Sequence, residues 1–97
     1  MSKVTIDKDK VLKQFQLIPG IGKSISLDFW NIGLRSIADL AGQNPGILYD
    51  KLNSITGVKQ DICVLYTFRC AVYYATEKYH DKEKLKWWYW KDKMYNE

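Results

Sequence analysis

The 97-residue sequence predicts a single all-α domain, a compact bundle of five or six short helices. Apolar residues recur at the three- and four-residue spacing of a helix between breaks that contain Gly or Pro. The chain has no run of alternating apolar and polar residues with the turn spacing typical of strands. Apolar residues make up 46% of the chain, and at this length they provide for one packed core, not two.

The first three predicted helices are short. Asp7 or Asp9 is placed to cap a helix that carries apolar residues at positions 11, 12 and 15. A Pro-Gly pair at positions 19 and 20 then predicts a tight turn. A second helix has apolar residues at 25, 29 and 32, with Gly33 just beyond its end. Ser36 is placed to cap a single helical turn over residues 37–41.

Two longer helices follow. Asn44 and Pro45 are typical of an N-cap and the first helical position, and we expect the helix that they open to bury Ile47, Leu48 and Leu52. Gly57 breaks this helix. From residue 60 to about residue 78 the sequence is apolar on nearly every side of a helix, which predicts a central, buried helix.

An internal repeat relates two of the breaks between helices. Residues 18–25 align with residues 55–62, 37 positions later, through the pattern apolar, any, Gly, apolar, any three, apolar. Both copies lie between predicted helices. We therefore expect two related helix–turn–helix units, the first over about residues 17–33 and the second over about 52–78, followed by an aromatic C-terminal tail over 83–97.

The segment LIPGIGKSISLDFWNIGLRSIADL, residues 17–40, resembles the helix-hairpin-helix motif of DNA-repair and DNA-processing proteins. That resemblance implies a grip on the phosphate backbone without base readout. The residues suit the role, because Gly20 can adopt a positive φ and Gly22 lets backbone come close to a phosphate. Unpaired N–H groups from Ile21 to Ser24 would lie at a helix N-terminus, where the dipole favours an anion, and Lys23 adds a charge.

The resemblance extends over about residues 11–92. The strings IPGIGKSISLDFWNIGLRSIADLAGQNPGILYDKL, DICVLYTFRCAVYYA and LKWWYWKD are similar to the bacterial pathogenicity-locus family of small helix-hairpin-helix proteins. The similarity implies an all-α fold built on tandem helix-hairpin-helix motifs. The family's labels name biological contexts and no reaction. DNA binding is implied chiefly by the hairpin.

The expected function is sequence-non-specific binding of double-stranded DNA, with a first grip at residues 20–24 and a weaker second grip at residues 57–60. In the second copy Lys59 stands where the first has Gly22, which either hinders backbone approach or offers its charge. The candidate phosphate-binding residues are Gly20, Ile21, Gly22, Lys23, Ser24, Gly57, Val58, Lys59 and Gln60.

The alternative is a protein-interaction adaptor of the same fold, with a protein partner in a DNA-processing or stress-response complex. Residues 14–59 contain four basic and three acidic residues, a balance of 4 − 3 = +1. A committed duplex binder normally has a clustered basic face. For the whole chain the net charge of +4 suits an anionic partner without requiring one.

The sequence lacks the residues that nucleotide-binding, metal-binding and catalytic sites require. The GKS at 22–24 is not a Walker loop, because position 17, where that motif requires an earlier Gly, is Leu. A dinucleotide-binding fingerprint would require its third Gly at position 25, which is Ile. Cys63, Cys70 and the distant His80 lack metal-ligand spacing, and we expect both cysteines to be reduced and buried. We therefore expect no catalytic residues, no metal, no cofactor and no small-molecule substrate, so the protein is not expected to be an enzyme.

The ends of the chain bear on location and packing. Residues 1–10 are charged and do not resemble a secretory signal, and the apolar run 62–75 is too short and polar to span a bilayer. We expect a cytoplasmic protein with no membrane contact. In the tail, Trp87 and Trp88 could stack on unpaired bases or pack on the bundle. Packing is favoured, because a chain this short needs its large apolar groups inside.

Overall fold

A computed structural model describes residues 7–97. Five α-helices are followed by two 3₁₀ helices: α1 (Lys8–Phe15), α2 (Lys23–Asn31), α3 (Ile37–Leu40), α4 (Pro45–Thr56), α5 (Ile62–Thr76), η1 (Lys82–Leu85) and η2 (Trp87–Asp92). This part of the chain has no strand, and the predicted all-α bundle is confirmed. The predicted domain and its charged start include residues 1–6, which lie outside the described residues. None of the helices in 7–97 is both long enough and apolar enough to cross a bilayer.

The predicted N-caps of α1, α3 and α4 are confirmed. Of the two candidates for α1 it is Asp7 that acts as the cap, and its carboxylate accepts the N–H groups of residues 9 and 10. The Ser36 side chain accepts the N–H of residue 39, and Asn44 accepts that of residue 47 with Pro45 at the next position. Each cap satisfies an N–H that the helix itself leaves without a partner.

Three phenylalanines join α1, α2 and α5 at the centre of the core. The ring centroids of Phe15 and Phe29 are 5.2 Å apart, and those of Phe29 and Phe68 are 5.0 Å apart. All three side chains are fully buried. Edge-to-face and tilted contacts at these distances add to the burial of the rings, so α1 is joined to α5 through α2.

Two expectations about buried faces are wrong. The buried residues of α4 are at positions 45, 48, 49 and 52, which is one helical stripe, and Ile47 lies off that stripe and is exposed. Helix α5 is buried over residues 67–73, but its first turn is in solvent, so Ile62 and Cys63 are exposed. The helix is also shorter than the predicted 60–78, because Asp61 caps its start.

The C-terminal segment, residues 82–97, folds back on α5. Trp90 is 4% exposed, and its Nε1–H donates to the carbonyl of Lys84. Trp87 is half-buried, whereas Trp88 is 56% exposed, so the expectation that Trp88 packs on the bundle is wrong. A 3₁₀ helix has three residues per turn, which places Trp87 and Trp90 on one face and Trp88 on another.

Candidate nucleic-acid interface

The first loop, residues 16–22, joins α1 to α2 and contains the start of the predicted phosphate site. Ile18 and Ile21 are buried and anchor the loop. The N–H of Ile21 donates to the carbonyl of Ile18 over 3.1 Å, so the expectation that this N–H is unpaired is wrong. Between them Gly20 has φ +84°, a conformation that residues with a side chain rarely adopt. The anchored turn leaves Gly20 and Gly22 exposed.

The start of α2 is an open helix N-terminus. Its N-cap is Gly22, which has no side chain to accept a hydrogen bond, and the first turn contains no acidic residue. The N–H groups of Lys23, Ser24 and Ile25 have no acceptor within residues 7–97. A Cβ at Gly22 would have no neighbour within 4 Å in the described chain, so no other part of that chain covers the N-cap position.

A shallow groove of about 310 Å³ runs beside this helix start, between α1 and α2. Its lining is Asp9, Leu12, Lys13, Gln16 and Lys23. Helix α1 therefore brings Lys13 to the same groove as Lys23. The sequence reasoning missed Lys13, although its position one turn before the loop could have indicated it.

The second loop, residues 57–61, uses its donors within the protein. Gly57 ends α4 with φ +70°, the N–H of Val58 donates to the Thr56 hydroxyl, and the N–H of Gln60 donates to the Asn53 side chain over 2.8 Å. The Asp61 carboxylate caps α5 by accepting the N–H of residue 63 over 2.8 Å.

The Asp61 cap changes the electrostatics of the second loop. The hydrogen bond from the backbone of Cys63 lowers the pKa of Asp61, which therefore remains ionised at neutral pH. A negative charge stands at the N-terminus of α5, where in the first loop the corresponding position is open. Gly57, Val58, Lys59 and Gln60 do lie together on one loop, but of these the exposed Lys59 side chain is the group best suited to an anion.

An apolar patch surrounds the second loop. Ile55, Val58 and Ile62 are 52%, 62% and 47% exposed, and we call these three residues the second-loop patch.

The Arg35 side chain makes its contacts within the protein. Its guanidinium lies 3.6 Å from the ring centroid of Trp30 and donates to the carbonyls of Trp30 and Leu34.

The C-terminal segment reaches the first loop. A Cβ built on Gly20 would lie 3.4 Å from Cδ1 of Trp87, so this indole lies directly against the glycine turn. Trp88 packs edge-to-face on Trp87, with ring centroids 5.7 Å apart. Sequence reasoning assigned these residues to general packing and did not place them beside the loop, because no local pattern indicates a contact between positions so far apart in the chain.

The cysteines and His80 are not brought together. Cys70 is buried, and desolvation raises the pKa of its thiol to about 11. Cys63 is exposed, contrary to expectation, and the hydrogen bond with Asp61 raises the pKa of its thiol. His80 stacks on Tyr74 and its Nε2 contacts the Tyr74 carbonyl, which can only accept, so Nε2 carries a proton. Residues 7–97 contain no cluster of three metal-ligating side chains.

A cleft of about 760 Å³ opens between the end of α5 and the C-terminal segment. Its lining is Tyr73, Glu77, Tyr79, His80, Asp81, Lys84, Tyr89, Trp90, Lys93, Met94 and Tyr95. The Tyr95 hydroxyl donates to the Glu77 carboxylate, and burial together with this bond raises the pKa of Tyr95 to about 12. The Asp81 carboxylate caps η1. Both acidic groups therefore hold the C-terminal segment in place.

Comparison with known proteins identifies the family. The Cdd1 family model, described as pathogenicity locus, matches residues 8–95. The chain belongs to the pathogenicity-locus family. The match covers every helix from α1 to η2 and therefore includes both loops and residues 82–95 of the C-terminal segment. Neither the curated proteins nor the solved structures contain a match to the chain.

Proposed function

We propose that this pathogenicity-locus protein binds the phosphate backbone of double-stranded DNA without reading its sequence. The observation that carries the proposal is the open N-terminus of α2, with its three N–H donors and with Lys13 and Lys23 lining the adjacent groove. In this proposal α1, the first loop and α2 form a helix-hairpin-helix. The proposed role involves no catalytic reaction and no cofactor, and we place it in the cytoplasm.

The physical basis is the match between a phosphate and this helix end. A phosphate oxygen accepts hydrogen bonds from backbone N–H groups, and the positive end of the helix dipole favours its charge. The two lysines add attraction that salt screens. Contacts to phosphates fix the position of a duplex and carry no sequence information. The expected binding is therefore weak, indifferent to sequence and sensitive to salt.

The second loop has a lesser part in the proposal. Because Asp61 occupies the N-terminus of α5, residues 57–60 do not offer an equivalent set of free donors. Lys59 can still attract a neighbouring phosphate through its charge. The two copies of the repeat thus have different roles, the first as the principal grip and the second as an electrostatic contact.

The decisive experiment copies the second loop into the first. Gly22→Asp places a carboxylate at the N-cap of α2, where the structure has room for a side chain. We expect duplex affinity, measured by fluorescence anisotropy at low salt, to fall at least about tenfold through lost hydrogen bonds and charge repulsion. The melting temperature should not fall, since Asp is at least as good an N-cap as Gly.

The matched control is Asp61→Asn, which keeps a capping side chain on α5 and removes its charge. We expect this variant to bind duplexes as well as the wild type or somewhat better. Two duplexes of unrelated sequence should give equal affinities, and both should weaken as salt is raised. A folded wild-type protein without salt-sensitive affinity for either duplex would contradict the proposal, as would full binding by Gly22→Asp.

A second candidate function, a protein-docking adaptor, is favoured by the second-loop patch. Three exposed aliphatic side chains around one loop are typical of a surface that contacts another protein. Val58→Asp tests this candidate, because it introduces a charge into the patch without touching the first loop. A variant that keeps duplex binding and loses a protein partner in co-purification would support the adaptor.

A further inference from the structure

The exposure of Trp88 is not explained by the stability of the fold. Its neighbour Trp90 is buried against Cys70 and Tyr73 of α5, whereas more than half of the Trp88 surface is in solvent. An indole left in water forgoes the free energy that burial provides. Trp88 is therefore available for a contact outside the chain.

The position of Trp88 is fixed by the residues around it. The carbonyl of Trp90 accepts a hydrogen bond from the buried Arg69 over 2.9 Å, and the Nε1–H of Trp90 donates to Lys84 over 2.9 Å. These bonds fasten η2 to α5 and η1. On the other side Trp87 lies against Gly20 and presents its ring to the edge-to-face contact with Trp88. Trp88 is thus exposed but held in place.

The same contacts place Trp88 beside the open start of α2. Gly20, which touches Trp87, is three residues before Lys23, so their Cα atoms are at most about 11 Å apart. The Trp88 ring is one ring contact further away, with its centroid 5.7 Å from that of Trp87, so a strand of a few nucleotides can reach from Lys23 to Trp88. Lys13 and Lys23 outnumber Asp9 in the groove lining, and the balance of 2 − 1 = +1 complements the charge of that strand.

We propose that Trp88 is a stacking surface for an unpaired nucleobase whose strand is held by its phosphates at the start of α2. The inference rests on the proposed function and specifies its ligand as DNA with a single-stranded stretch or an unpaired end. A base inside an intact duplex is stacked on both faces and cannot lie flat on Trp88, whereas every unpaired base has a free face for an indole. The proposal thus gives one strand two contacts, a phosphate at the start of α2 and a base at Trp88.

Binding of three DNA probes tests the inference. Fluorescence anisotropy would compare a blunt duplex, the same duplex with a single-stranded overhang, and oligothymidine, all at one salt concentration. We expect the overhang to bind more tightly than the blunt end. Trp88→Ala should weaken binding to the overhang and to oligothymidine about tenfold, in line with the loss of one stacked base. Its affinity for the blunt duplex should change less than about twofold.

Two further variants separate stacking from structure. Trp88→Phe retains a ring and should retain most of the single-strand affinity, and wild-type indole fluorescence should be quenched more by oligothymidine than that of this variant. Gly22→Asp should weaken binding to all three probes. Because Trp88 is exposed, Trp88→Ala should melt close to the wild-type temperature. An unchanged melting temperature would show that any loss of affinity is not caused by unfolding.

The outcomes distinguish the two proposals. If the wild type binds the blunt duplex but gains nothing from an overhang, or if Trp88→Ala binds oligothymidine as the wild type does, the stacking inference is overturned while duplex binding stands. If Trp88→Ala weakens all probes equally, Trp88 has no specific role with unpaired bases. If no probe binds with salt-sensitive affinity, both proposals are wrong.

Discussion

The ion pair between Arg69 and Glu97 fastens the C-terminal segment to α5, and Glu97→Ala tests its contribution to stability. Arg69 donates to both carboxylate oxygens of Glu97, from Nε to Oε1 and from Nη2 to Oε2, the latter over 3.0 Å. The two side chains are 10% and 13% exposed. Arg69 also donates from Nη1 to the carbonyl of Trp90, so its guanidinium binds two parts of the segment.

The loss in free energy of unfolding caused by Glu97→Ala arises because Arg69 is left without its charged partner. Removing one member of a buried pair costs about 3–5 kcal/mol when the other charge stays buried. Arg69 keeps its bond to Trp90, and loosening of residue 97 would let water reach the guanidinium. We therefore expect a loss of about 2–3 kcal/mol, which lowers the melting temperature of a domain of this size by about 10–20 °C. Glu97→Gln, which keeps an acceptor oxygen, should lose about 1 kcal/mol.

Thermal unfolding followed by circular dichroism at low and high salt measures the effect. The matched control is Glu83→Ala, which breaks the exposed pair with Lys86, where the Nζ–Oε2 distance is 3.2 Å. Exposed pairs contribute less than about 1 kcal/mol, so this control should melt near the wild type. Equal melting temperatures for Glu97→Ala and Glu83→Ala would refute the claim that the Arg69 pair holds the segment.

Three further predictions concern thiol reactivity and packing. In the native protein a thiol reagent should label Cys63 and leave Cys70 unlabelled by mass spectrometry until the protein unfolds, since Cys70 is buried and its pKa is raised to about 11. Trp90→Ala should cost about 3–5 kcal/mol in denaturant unfolding, whereas Trp88→Ala should cost less than about 1. Gly20→Ala should cost about 1–2 kcal/mol, because φ is +84°, a conformation that is strained for a residue with a Cβ. Labelling of both cysteines at one rate, or equal losses for the two tryptophan variants, would contradict the described burial.

Local features of the fold could be predicted from the sequence. The caps Asp7, Ser36 and Asn44 act on N–H groups two or three residues away, so the information lies within a few positions. The exposure of Ile47 and Cys63 could not be predicted in the same way. It depends on which elements cover each face of α4 and α5, and those elements come from distant parts of the chain.

The candidate site was partly predictable for the same reason. The glycines of the first loop and the basic Lys23 follow from a short motif, and Asp61 could have been recognised in the sequence as a cap that blocks the second loop. Lys13 in the groove and Trp87 against the turn are contacts between elements. No periodicity or motif indicates such contacts. The binding of DNA itself remains a prediction.

The central claim is that phosphates bind at the start of α2. The most direct test is a titration of ¹⁵N-labelled protein with a DNA duplex, followed by the amide chemical shifts. We expect the largest shifts at the N–H groups of Lys23, Ser24 and Ile25, diminishing as salt is raised, and smaller shifts at the N–H of Gln60, whose hydrogen bond is made within the protein. Shifts concentrated in the second-loop patch, or the absence of salt-dependent shifts at the start of α2, would contradict the claim.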